Sequence, residues 1–264
     1  MNLKMNPIRL CTAFLFLYSA VAFFFKPEFP VAIHFLLTVG VGGLYYFVVT
    51  FLSKKRKVLD NTLISCLILF LVLHYPTTRV SMVLIVLTTF LTLTIKFFLE
   101  YKGSPFANPV AVAILVVYFF SKILPFNETL FASWWGASFQ GWISLAIIAV
   151  WAFVGVKKWR KVPLVLTFLI SAAILLLVWG KTTESLEYIF TDATIYFLAT
   201  IMLLEPRTSP VKCKGQLAFA VIAAILYTTL SHFSVTDYEL WAIVGANFSF
   251  LIMKHSPLRK IGFV

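Results

Sequence analysis

The chain has 264 residues, of which 61% are apolar, 17% aromatic and 12% charged, with a net charge of +12. Water-soluble domains carry about twice that charged fraction, so a soluble enzyme or binding module is excluded and the chain belongs in a bilayer. The basic residues flank apolar runs and form no nucleic-acid motif; they report topology and contact with anionic lipid headgroups, with no nucleic-acid partner expected.

A membrane-crossing helix needs roughly 17 to 25 mostly apolar residues. Such runs recur at approximately 8–25, 31–52, 61–75, 80–98, 109–125, 139–156, 162–179, 188–204, 212–231 and 238–254; the third is short and the fourth and fifth join without a clear break, which gives nine or ten spans. Lys4 and Arg9 before the first run, with Ser19 to Ala22 inside it, have the form of a cleavable signal peptide. Cleavage would leave nine of the ten runs, and retention of the first keeps an even number that can pair as two halves. Lysine and arginine in short connections stay on the cytoplasmic side. Lys4, Arg9, Lys54 to Lys57, Lys96, Lys102, Lys157 to Lys161, Arg207, Lys212, Lys214, Lys254, Arg259 and Lys260 fall in one set of connections. Lys26, Arg79, Lys122 and Lys181 fall in the other. Ten spans then place both termini in the cytoplasm, in a multi-pass membrane protein.

The four histidines and three cysteines have no metal-ligand spacing, and Cys11, Cys66 and Cys213 form no disulfide framework. His34, His74 and His232 lie near span ends, where packing or an interfacial position is the simple reading and proton coupling the sharper one. Trp134, Trp135, Trp142, Trp151, Trp159 and Trp179 read as interfacial anchors.

Two breaks organise the chain. His74-Tyr-Pro-Thr-Thr-Arg79 separates the third and fourth runs, and Leu204-Glu-Pro-Arg-Thr-Ser-Pro210 separates the eighth and ninth. Aligning Pro76 with Pro206 pairs the spans at an offset of five, and an odd offset inverts the second copy. The expected fold is therefore a single all-α integral membrane domain over residues 1–264, as two inverted five-helix repeats of about 1–130 and 131–264. Interrupted helices in such repeats commonly line the site. Capping explains the same residues: Ser209 can cap a helix beginning at Pro210, and Asn108 one beginning at Pro109. Glu205 is harder to dismiss, since a carboxylate ending an apolar run needs water, Arg207 or a bound group.

Three segments carry a resemblance: Gly103-Ser-Pro-Phe-Ala-Asn-Pro-Val-Ala111, Thr200-Ile-Met-Leu-Leu-Glu-Pro-Arg-Thr-Ser-Pro210 and Gly245-Ala-Asn247. Their order and placement resemble the membrane-subunit family shared by Rnf electron-transport complexes and sodium-pumping NADH:quinone oxidoreductases (Nqr). The resemblance implies ten spans in inverted halves, similar to urea and ammonium channels. It implies other membrane and peripheral subunits of an electron-transport complex as partners. It also makes Asn108, Pro109, Glu205, Arg207, Thr208, Ser209 and Pro210 candidates for the framework around a flavin, FMN or riboflavin. Glu205 stands where the family has Asp. The family's covalent flavin motif, Ser-Gly-Ala-Thr, has Trp135-Gly136-Ala137-Ser138 as its nearest match here, with Trp for Ser and Ser138 for Thr; covalent attachment at Ser138 is the weaker expectation and an outer-surface turn the stronger. The chain is also shorter than usual members.

The functional expectation is a flavin-associated membrane subunit of an ion-translocating electron-transport complex, a subunit of a redox-driven translocase whose partners supply the nucleotide and iron–sulfur chemistry. The alternative is a small-solute transporter or channel of the same fold, with a flavin among the candidate solutes. A structural scaffold is the plainest option.

Overall fold

The computed structural model describes residues 6–53, 59–101, 104–123 and 128–255. Lys4, Lys54 to Lys57, Lys102, Gly103, Arg259 and Lys260, which bear on topology and resemblance, lie outside the described residues. The described residues are helical apart from their connections and one two-residue antiparallel pair, Glu100–Tyr101 with Ser104–Pro105. Four helices are long and apolar enough to cross a membrane: Pro7–Phe25, Phe29–Leu52, Arg79–Phe98 and Cys213–His232. Shorter apolar helices run over Leu59–Val72, Pro109–Ile123, Gly141–Val156, Val162–Val178 and Ala193–Met202. Large apolar side chains stand on the outside: Phe29 is 78% exposed, Phe51 83% and Phe153 74%. Hydrocarbon, not water, solvates such a surface, and helices satisfy their backbone groups internally there.

Contacts divide the chain into two compact units, Met1–Leu99 with Ala113–Gln140 and Glu100–Val112 with Gly141–Val264. In the first, Pro7–Phe25 opens with an Asn6 cap on the Ile8 amide and Pro7 at its first position, where a missing amide costs nothing. It packs on Leu59–Val72, in which every residue from Cys66 to Val72 is buried. From Cys66 onward that helix is apolar on every side, as a stretch enclosed on every side should be. Arg79–Phe98 begins with a capping box between Thr78 and Ser81, which satisfies two otherwise orphaned amides. In the second unit, Cys213–His232 packs against Val162–Val178 and Tyr238–His255. Leu198–Met202 is wholly buried. Each expected break thus follows the most enclosed helical stretch of its own unit.

Two sequence readings are corrected. The expected run 188–204 is interrupted at Asp192, whose carboxylate takes the Thr194 amide at 2.9 Å and separates Thr183–Thr191 from Ala193–Phe197. Ser209 does not cap the next helix: that helix starts at Cys213 after Lys212, because the Ser209 hydroxyl is turned back onto the Glu205 carbonyl at 2.9 Å. Three π-helical turns, Leu36–Gly40, Ala152–Val156 and Leu198–Met202, were not anticipated.

Candidate functional site

The resemblance segments meet in the second unit. Asn108 caps Pro109–Ile123, its Oδ1 accepting from the amides of Val110 at 3.0 Å and Ala111 at 3.2 Å, as the Asn-Pro pair predicts. Its Nδ2 donates to the Met202 carbonyl at 3.2 Å, at the end of the π-helical turn. Its backbone amide donates to Asn247 Oδ1 at 2.8 Å, and Asn247 Nδ2 donates to the Thr208 carbonyl at 3.1 Å. Asn108, Asn247, Thr208 and Ser209 are each at most 3% exposed. Buried amides of this kind hold their position because leaving either partner unsatisfied is costly. Asn247 belongs to the resemblance segments but not to the expected site residues; its amide between two backbone groups makes it the hinge of the cluster.

The Glu205–Val211 connection is held from a second direction. The Glu205 carbonyl accepts from the amides of Thr208 and Ser209, both at 3.1 Å. Lys161, in the connection before Val162–Val178, is 4% exposed. Its ammonium donates to Ser209 Oγ at 2.9 Å, to the Ser209 carbonyl at 3.4 Å and to the Pro210 carbonyl. Burial pulls that ammonium down to about 8 from 10.5. Gln216 Nε2 donates to the carbonyls of Arg160 at 3.1 Å and Val211 at 2.8 Å. Nothing in the local sequence announces Lys161; it reads as one more topological lysine in Lys157 to Lys161. Arg207 stands apart, pairing with Glu100 at 2.5 Å with both side chains substantially exposed.

The remaining expectation, Ser138, lies in the first unit and is not part of this cluster. The Trp134–Ser138 turn docks on the end of Leu59–Val72. The amides of Ser133 and Trp134 donate to the Val72 carbonyl, and that of Gly136 to the Leu71 carbonyl at 3.0 Å. Trp135 Nε1 donates to the Phe70 carbonyl at 2.9 Å and Tyr18 to the Ala137 carbonyl at 2.7 Å. The bonds to Phe70, Leu71 and Val72 serve carbonyls that the end of Leu59–Val72 leaves without helical partners. The tryptophans divide: Trp142 is exposed, whereas Trp134 and Trp151 are buried, Trp151 donating to the Thr200 carbonyl at 2.9 Å. His34 is buried too, its ring 5.3 Å from that of Phe70.

A flavin does not fit among these side chains as they stand. Asn108 and Asn247 are turned onto backbone groups, and Lys161 closes over Ser209 and Pro210. Arg207, the charged group that faces outward, is already on Glu100. The cluster acts as a keystone joining three distant segments. A separate cleft of about 190 Å³ lies in the first unit, bordered by His74, Tyr75, Thr77, Ser81 and Glu128. Glu128 accepts from the Thr78 hydroxyl at 2.5 Å. No family model matches the chain, and no curated protein sequence matches it.

Proposed function

We propose that the chain is a ten-span subunit of two inverted repeats, related to the membrane-subunit family of the Rnf and Nqr complexes. It forms the membrane framework of an ion-translocating electron-transport assembly in a bacterial inner membrane, with both termini cytoplasmic. One observation supports this reading: the three segments that carry the resemblance, one pair of residues 139 positions apart, share a single set of buried hydrogen bonds. Chance similarity of short motifs does not require that they touch. In this reading the redox chemistry belongs to partner subunits, and FMN or riboflavin, where held, is noncovalent and outside the buried cluster.

The test is purification from native membranes in mild detergent. Co-purifying iron–sulfur or nucleotide-binding subunits, with any yellow colour released on denaturation, are expected. A chain that purifies alone and colourless sinks this reading. The second reading is transport of a small polar solute by the same fold, favoured by the 190 Å³ cleft, which is below the roughly 300 Å³ at which cofactor sites begin. Uptake of solute into vesicles by colourless protein is its signature.

A further inference from the structure

The first helix, Pro7–Phe25, carries a shallow, widely open groove on its outward face between Arg9 and Ala20, about 550 Å³ in all and bordered by Ala13, Phe16, Leu17 and Asp60. An adjoining apolar cavity of about 230 Å³ shares Phe16 and Ala20 with it. Alanines at 13 and 20 leave open the room that Phe16 and Leu17 flank. The groove has one polar end. There Arg9 Nε lies 3.6 Å from Asp60 Oδ2, with 74% of the arginine side chain and 27% of the aspartate exposed. Everything beyond Thr12 is apolar.

Arg9 to Ala20 covers about 16 Å at 1.5 Å per residue, close to the roughly 15 Å that one leaflet contributes to the hydrocarbon core, so one acyl chain matches this stretch; the apolar surface continues past Ala20 to Phe23, Ala32 and Phe35. Charge at the Arg9 end decides the occupant. Among the described residues, an anionic lipid would satisfy Arg9 but meet Asp60, whereas a headgroup with a phosphate and a primary ammonium matches both.

We propose that the Arg9–Ala20 face binds a phospholipid with a phosphoethanolamine headgroup, its phosphate on Arg9, its ammonium on Asp60 and one acyl chain over Ala13 and Ala20. The contact is independent of which assembly the chain serves. Primary ammonium matters because it donates hydrogen bonds to the Asp60 carboxylate, which a quaternary ammonium cannot do.

The full chain, extracted in detergent and washed of native lipid, is incubated at high salt with chain-matched phosphatidylethanolamine, phosphatidylcholine or phosphatidylglycerol. Bound lipid is counted by native mass spectrometry. Phosphatidylethanolamine is expected to be retained about fivefold better than either competitor, the ratio that one headgroup–charge contact supports. Asp60→Asn should shift the preference to phosphatidylglycerol. Ala13→Trp, at an exposed position whose filling leaves the core intact, should abolish retention of all three. Equal retention of the three lipids, retention unchanged by Ala13→Trp, or a dimer cross-linked through this face would each overturn the assignment.

Discussion

Lys161 holds a charge where water is scarce, and the arrangement makes its cost visible to pH. Its ammonium is held down to about 8 from 10.5, so between those values the unfolded chain binds a proton that the folded chain has released. Stability rises with pH wherever the unfolded state binds more protons. The thermal midpoint in detergent is therefore expected to climb from pH 8 to pH 10.5, and Lys161→Met should remove that climb; a variant with the wild-type slope would move its origin elsewhere. Asn247 and Arg207 make a second contrast. Asn247→Ala strands the buried Asn108 amide and Thr208 carbonyl, a loss on the order of 3 kcal/mol. Arg207→Ala removes only an exposed ion pair, worth about 0–1 kcal/mol. Denaturation of the two variants side by side measures both, and equal losses would dismiss the keystone role of Asn247.

Helices reveal which local signals reach beyond themselves. The apolar runs were legible because a bilayer demands long uninterrupted hydrophobicity, and the Asn108 cap was legible because Asn-Pro makes its own helix start. The cap read from Ser209-Pro210 does not form, since the Ser209 hydroxyl donates to the Glu205 carbonyl and accepts from Lys161, 48 residues away, a position that depends on tertiary packing. The π-helical turns have no composition of their own, only a shifted bonding pattern, and nothing about Trp151 in sequence tells it from an interfacial tryptophan. The Trp134–Ser138 turn lies between these cases: its small residues are visible, their purpose is not. A Cβ at Gly136 would sit 2.9 Å from Leu71 Cα and 2.7 Å from Leu71 Cδ2, and the backbone atom cannot yield. Gly136→Ala is expected to cost about 1–3 kcal/mol through overpacking, read as a lower thermal midpoint. A neutral result would mean that the turn can lift off Leu59–Val72 without penalty.

For the molecule as a whole, the proposed inverted repeat makes a demand that helix lengths alone do not: the connections at Pro76 and Pro206 must open on opposite sides of the membrane. The chain supplies its own probe. Of its free cysteines, Cys11 and Cys66 are buried and Cys213 is exposed, six residues after Arg207 in sequence. A membrane-impermeant maleimide should leave wild-type protein unlabelled in intact cells and label it in inverted vesicles, because Cys213 belongs to a proposed cytoplasmic connection. Thr77, exposed beside Pro76, reports the other break. Thr77→Cys in a Cys213→Ser background should give the reverse pattern, labelling in intact cells. Burial of the other two thiols keeps the readout to one site in each protein. Labelling of both positions from the same side would leave ten apolar runs without an inverted arrangement, and kinship with the Rnf and Nqr membrane subunits would then rest on the Asn108–Asn247–Thr208 cluster alone.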